Sequence, residues 1–488
     1  MTNPPRLPPP AAPTPYEPLA ARNRRLITAA TLTCVFLSML DGTVTGTAMP
    51  RIVAQLGGAE TWYVWVVTAY LLTSTVTVPL YGRFSDLRGR RGPLLTGLGI
   101  FLAGSLACGL ASSITLLIAA RAVQGLGAGA LLTVGMAVVR DLYPPSRMEG
   151  MVRMQSVMAV MLVAGMVGGP LAGGVLADYA SWRWAFLLNL PAGAVAAALL
   201  AALLPRTRPA SSVTGRLDVA GIALLTSGLS LVLLGLTLKG HGERSWSDLT
   251  VGAPLLLGAV LLALLAVAER RAEVPIVPLR LFGHRAYAAI IAAGFFFQAA
   301  SLPAGVFLVL YLQHVRGYSA TDSGLLLLPM LGGMVLSNRL TASFILRTAR
   351  PRPALLLGAA LLTAGSLPLL TLNAGTPALL IACCLALVGL GTGPAMGGAS
   401  IVAQNSVPRT DIGAATAGSM LTKQIGGAVS LACGQSLLGH HLTAGGADAV
   451  QVTAGVATVL GWAGGLGGLL ALASVVLMPD LRIGGRTD

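Results

Sequence analysis

Residues Leu162–Gly193 read LVAGMVGGPLAGGVLADYASWRWAFLLNLPAG. On a helix, Gly165, Gly169 and Gly173 fall at i, i+4 and i+8 and form one bare ridge. Gly168, Pro170, Ala172 and Gly174 widen the ridge into a smooth groove. A neighbouring helix can approach such a face backbone to backbone, which is how helices associate in lipid, where apolar side chains give no net drive. Pro170 removes a backbone donor and bends the helix, a defect that adjacent helices can satisfy. Downstream, Asp178, Trp182, Arg183 and Trp184 suit a membrane interface, and Asn189-Leu-Pro191 leads back into an apolar span. This stretch predicts a membrane helix closely packed on a neighbour, followed after a turn at the membrane surface by a second apolar span.

Composition agrees. Only 10% of the residues are charged and 55% are hydrophobic, against the roughly 25% charge of a soluble protein. The net charge of +15 resembles a nucleic-acid signal, but the charges sit between apolar runs and form no surface of their own, so nucleic acid is excluded as a partner. Cys34, Cys108, Cys383, Cys384 and Cys433 lie inside apolar runs without metal-ligand spacing and read as packing residues. No metal or cofactor is expected.

Residues 1–25 form a Pro-rich arm whose composition predicts an extended, disordered tail. Apolar runs follow near 26–48, 62–82, 93–112, 114–137, 154–177, 184–204, 217–238, 250–268, 286–312, 323–345, 353–372, 377–398, 412–437 and 453–478. That makes about fourteen segments, each near the ~20 residues a helix needs to cross hydrocarbon. With the N-terminus inside, most Lys and Arg fall in cytoplasmic tails and loops, and dropping one helix would scramble that asymmetry. The expected fold is an all-α integral membrane protein of the cell membrane with both termini cytoplasmic. Its parts are a six-helix bundle at 26–204, a linker at 205–285 carrying two extra helices, a second six-helix bundle at 286–478 and a tail at 479–488. Two halves imply an internal repeat with a substrate site between them near the midplane.

Asp41 is the one acid well inside a span. Cys34, Ser38, Asp41 and Thr45 share a helical stripe, which points Asp41 at a polar lining. An intramembrane carboxylate is costly and marks function by default. Arg121 lies at a similar depth, about seven residues or ~10 Å from the outer end, with Gly125 and Gly129 on its stripe facing a close neighbour. A direct or water-mediated Asp41–Arg121 pair fits these depths. Lys423, beside Gln424, has no acid in its own half and needs a carbonyl, a water cavity or an anionic substrate group.

The short loop Gly82-Arg-Phe-Ser-Asp86-Leu-Arg88-Gly89-Arg90-Arg91 carries an acid that positive-inside topology does not explain. Asp86 is placed to hold two helices together in one conformation and release them in another.

Gly82, Asp86, Gly89, Arg90 and Arg91 resemble the loop motif of the major facilitator superfamily. Arg121, Gln124, Gly125 and Gly127 resemble its fourth-helix motif, associated with proton translocation, and Gly165, Gly169, Pro170, Gly173 and Gly174 its antiporter motif. Leu40-Asp41-Gly-Thr43-Val44 through Ala48-Met-Pro50, with Trp182-Arg-Trp184, Phe186, Asn189, Pro191 and Gly193, narrows the resemblance to the fourteen-span drug–proton antiporters. Two features depart from the pattern. Gly46 stands where the first-span motif usually has Asn, and the loop Asn338–Pro353, equivalent to the charged loop, keeps arginines without an acid.

The resemblance implies a proton-coupled antiporter that exports drugs, antibiotics or related amphipathic metabolites by alternating access. Asp41 and Arg121 would couple protons, the halves would rock on the glycine ridge, and the transporter would work as a monomer in the lipid bilayer. Tyr70, Gln155, Met158, Phe296, Gln298, Tyr311 and Lys423 are the candidate cavity lining. Met151, Met154, Met158 and Met161 share a stripe that suits either packing or a promiscuous surface. An ATP-driven pump would need a phosphate-binding GxxxxGK[ST], which is absent. An enzyme would need clustered catalytic groups, and the five histidines lie in loops or at helix ends. A channel or a substrate-sensing receptor without active transport also fits the composition.

Overall fold

The computed structural model describes residues 19–57, 62–143, 148–206, 218–239, 246–270, 279–407, 412–441 and 448–480. Among them every regular element is helical. The first half holds α1 (Ala21–Leu56), α2 (Trp62–Arg88), α3 (Arg91–Gly109), α4 (Ile114–Leu142) and α5 (Met148–Tyr179), then the short α6 (Trp184–Leu187) running into α7 (Asn189–Leu203). α8 (Val219–Lys239) and α9 (Leu249–Glu269) follow. The second half holds α10 (Arg285–His314), α11 (Ala320–Thr348), α12 (Pro351–Ser366), α13 (Ala378–Asn405), α14 (Ile412–His441), α15 (Ala449–Leu460) and α16 (Gly467–Val476), the last two joined by one π-helical turn. Ten helical segments among the described residues are long and apolar enough to cross a membrane; α8 offers a shorter apolar stretch, Ala220–Leu236.

Small residues decide who packs on whom. A Cβ on Gly165 would stand 2.9 Å from Met39 Cβ, and on Gly169 and Gly173 it would overlap Thr43 Oγ1 and the Val44 carbonyl. The ridge therefore faces α1, inside its own half, and is not the sliding surface between halves that its bare face suggests. Thr43 Oγ1 donates to the Gly165 carbonyl at 3.2 Å and Thr47 Oγ1 to the Pro170 carbonyl at 3.1 Å. Interhelical bonds of this kind contribute about 0.6 kcal/mol each in lipid, so close backbone packing carries the contact. The other flank of α5 meets the second half: a Cβ on Gly174 would stand 2.6 Å from Thr321 Cα, and one on Gly324 2.6 Å from the Pro170 carbonyl. Gly125 and Gly129 similarly let α4 rest on the backbone of α2 at Tyr70 and Ser74.

α8 and α9 form a hairpin outside both sets. Leu229 and Leu233 of α8 cluster with Val76 of α2 and with Ala428 and Ala432 of α14, so α8 covers the seam where those two helices meet. On α9, Leu256, Leu257, Val260, Leu264 and Val267 remain exposed, a contiguous apolar face of the kind that lies against lipid. Trp182, expected at the interface, is instead 1% exposed and donates its indole N–H to Gln55 Oε1 at 2.8 Å. Trp184 is the half-exposed one.

Candidate functional site

Asp41 and Arg121 have no solvent exposure. Helical geometry sends them toward each other: Asp41 projects from α1 on the side of α4, and Arg121 stands one turn above the Gly125–Gly129 face. Arg121 NH1 donates to Asp41 Oδ2 at 2.5 Å. The other carboxylate oxygen accepts from Gln124 Nε2 at 2.8 Å and from Asn189 Nδ2 at 3.1 Å. Both amides also donate to Ser105 Oγ at 2.8 Å, so α1, α3, α4 and α7 meet on one acid. The guanidinium is held further by Gln124 Oε1 at 2.8 Å and the Val66 carbonyl at 3.3 Å. A buried ion pair is tolerable only when its remaining hydrogen-bonding capacity is met in this way.

Tyr70 closes the cluster off. Its ring centroid lies 4.1 Å from the Arg121 guanidinium carbon, and its hydroxyl donates to the Ser38 carbonyl at 3.1 Å. On the far side of that ring is a cavity of about 290 Å³ between the two halves. α1 lines it with Ser38, Gly42 and Gly46; α10 with Gln298, Ser301 and Gly305; α11 and α13 add Met330, Met334 and Met396. On α1 these residues recur at i, i+4 and i+8 and on α10 at i, i+3 and i+7, one helical face each.

The sequence profile of the Major Facilitator Superfamily matches residues 31–431. The chain belongs to that superfamily. It is similar to the multidrug transporter protein MdtP of Bacillus subtilis (33% identity over 406 residues, 83% of this chain and 73% of that protein). It is also similar to the efflux pump dotC of Dothistroma septosporum (30% over 412 residues, 84% and 70%). An uncharacterized MFS-type transporter of Mycobacterium tuberculosis is 34% identical, and there the match spans 62% of the relative's length. Among solved structures, an auto-inhibited POT family peptide transporter superposes with a TM-score of 0.67 at 16% identity, covering 96% of this chain and 98% of that one. The nucleoside transporter NupG gives 0.66 at 10%, covering 93% and 100%. These two share the fold. The protein is thus a multi-pass major facilitator transporter with multidrug efflux relatives, and those relatives are transporters rather than enzymes.

Within this transporter, Tyr70 and Gln298 line the cavity, and Asp41 and Arg121 pair directly. Three candidates do not line it. Phe296 is about 200° around α10 from Gln298 and packs on the large core cluster. Tyr311 is buried at the far end of α10, where its hydroxyl donates to the Asn373 carbonyl at 2.6 Å. Lys423 turns along α13 and donates its Nζ protons to the carbonyls of Ala395 (2.7 Å) and Met396 (3.3 Å). The side chains of Gln155, Met158 and Asp86 lie outside the described residues. Asp41 does not line the cavity either: Ser38 of its stripe does, whereas Asp41 and Thr45 face α4.

The charged loop also acquires partners that sequence reasoning missed. Gly89 adopts φ +88°, a left-handed turn that suits glycine, and it brings Arg90 under α4. Arg90 Nε donates to Asp141 Oδ2 at 3.0 Å and its NH1 to Ser85 Oγ at 2.7 Å. Arg91 reaches the Ala201 carbonyl at the end of α7. A Cβ on Gly82 would already touch Thr133 of α4 at 3.4 Å. The loop thus fastens α2 and α3 to α4 and α7 within one half.

Proposed function

We propose that the chain is a fourteen-span proton-coupled antiporter of the cell membrane, with both termini cytoplasmic, that exports small amphipathic organic molecules by alternating access. One observation carries the reading: a sealed Asp41–Arg121 pair stands directly behind the wall of a cavity between the two halves. Protonating Asp41 would leave Arg121 with neutral partners only, an uncompensated buried charge worth several kcal/mol. The relief is a rearrangement of α1 against α4. Tyr70 reports it to the cavity, because its ring rests on Arg121 and its hydroxyl on Ser38. Proton binding and substrate binding then compete through a shared wall, without sharing a site. The loop motif, with Arg90 on Asp141, keeps the first half rigid while it rocks against the second.

The test is transport in proteoliposomes. A pH gradient should drive a lipophilic probe uphill, and collapsing the gradient with an ionophore should leave only exchange. Gradient-independent, non-saturating flux would mark a channel, and saturable binding without flux a receptor.

A further inference from the structure

We infer that the central cavity selects uncharged, mainly apolar molecules bearing a carbonyl- or amide-like group, held by the side-chain carboxamides of Gln298 and Gln424. The inference deepens the transporter reading and rests on it for the cavity's role. Among the described residues that line the cavity there is no Asp, Glu, Lys, Arg or His. The embedded charges nearest to it are already satisfied: Asp41 and Arg121 by each other behind Tyr70, and Lys423 by two backbone carbonyls. An ion entering this space would give up its hydration and meet no counter-charge. The cationic Lys423 therefore does not define the substrate's charge, as its embedded position alone suggests.

The polar groups that remain are specific. Tyr70, Thr43, Thr47, Ser74 and Thr392 use their hydroxyl protons on helix carbonyls, which leaves the Ser38 and Ser301 hydroxyls and the two larger carboxamides to meet a ligand. Gln424 accepts from Thr75 Oγ1 at 3.3 Å, which leaves its amide N–H groups to donate. Gln298 makes no hydrogen bond with any described residue. The two carboxamides line the same cavity on helices that touch there: a Cβ on Gly427, one turn beyond Gln424 on α14, would lie 3.3 Å from Gln298 Cγ. Two amide donors in one cavity, one with a spare carbonyl, match an amide or ketone oxygen and discriminate against analogues that leave them unpaired. Met39, Met330, Met334 and Met396 make the rest of the wall soft and adaptable. At about 290 Å³ the space sits at the small end of ligand pockets, near ~300 Å³.

Binding without a gradient tests this separately from transport. Benzanilide, its quaternary trimethylammonium derivative, its carboxylate derivative and the amide-free isostere trans-stilbene would be titrated against the purified protein in nanodiscs. Benzanilide should bind at least about tenfold tighter than either charged derivative. Gln298→Leu and Gln424→Leu should each weaken benzanilide about tenfold and leave stilbene within about twofold, which also reports that the variants are folded. Tighter binding of the cation or the anion overturns the proposal, as does failure of benzanilide to bind or indifference to both substitutions. If the preference holds but no probe moves uphill in proteoliposomes, the antiport reading fails and the selectivity stands.

Discussion

Asp178, one residue from the end of α5, accepts the backbone N–H of Thr321 on its Oδ2 at 2.8 Å. The same oxygen accepts from the Thr321 hydroxyl at 2.6 Å, and Oδ1 pairs with Arg51 of α1 at 2.9 Å. Arg51 NH1 also donates to the Ala177 carbonyl at 3.1 Å, and Gln313 of α10 donates to the Thr47 carbonyl at 2.9 Å. A carboxylate from one half thus caps the first turn of a helix in the other, where N–H groups have no intrahelical partner. Close packing of Gly174 and Gly324 beside it joins the two halves at this end of the bundle and closes it.

Replacing that carboxylate should loosen the closed end. Asp178→Asn keeps the shape but loses a charge-assisted bond worth ~1.5–3 kcal/mol, which shifts a closed-to-open ratio by roughly tenfold to a hundredfold. Spin labels at Tyr179→Cys and Tyr318→Cys, with exposed Cys383 and Cys433 changed to Ser, would read the change as a new long-distance population. An unchanged distance distribution would show that the glycine packing alone closes this end.

The second prediction separates coupling from stability. Asp41→Asn strands Arg121 in a site without solvent exposure, at a cost of about 3–5 kcal/mol. The single variant should melt well below the parent in detergent and show no pH-driven uptake. Asp41→Asn with Arg121→Gln removes both charges, and it should recover much of the lost thermal stability while remaining uncoupled. Uphill transport by the double variant would take the pair out of the mechanism.

A third prediction uses adjacent glycines on α5. A Cβ at Gly169 would overlap Thr43 Oγ1 and stand 3.0 Å from the Val44 nitrogen, while a Cβ at Gly168 would find only Leu40 Cδ1 at 3.9 Å. Gly169→Ala should therefore destabilise by about 1–3 kcal/mol, as overpacking does, and Gly168→Ala should change stability by less than about 0.5 kcal/mol. Equal melting temperatures for the two would mean that α1 and α5 part easily. The larger Gly169→Leu should block transport altogether.

What the sequence made legible was direction, and what it hid was partnership. A charge or a bare glycine face inside an apolar run has a helical azimuth that can be read from spacing alone, which is why Asp41, Arg121 and the α5 ridge stand out. The partner depends on how distant helices pack: Asn189 is 148 residues from Asp41, and Asp141 is 51 from Arg90. Nothing local tells Lys423 to turn toward α13, or the ridge to face α1 and leave only the Pro170–Gly174 flank for α11. Gln124 carried a readable signal, since i+3 from Arg121 on a helix is the same face. The cavity lining was least legible, because stripes of Ser, Gly and Met look the same whether they face a void or a neighbour.

The last prediction concerns the wall itself. Tyr70 separates a charged, sealed cluster from an uncharged cavity with a single ring, stacked 4.1 Å from Arg121 on one side and lining the void on the other. Removing the ring should let cavity water reach Asp41, which accepts from Arg121, Gln124 and Asn189 behind it. Tyr70→Ala should then pass protons without substrate, at least several-fold faster than the parent. Tyr70→Phe keeps the ring and loses only the bond to the Ser38 carbonyl, so it should stay tight to protons. Proteoliposomes loaded with a pH-sensitive dye and given an outward-alkaline step would show the difference directly. If Tyr70→Phe leaks as fast as Tyr70→Ala, the hydroxyl bond and not the ring is the barrier; if both variants are as proton-tight as the parent, protons reach Asp41 by a path that avoids the cavity.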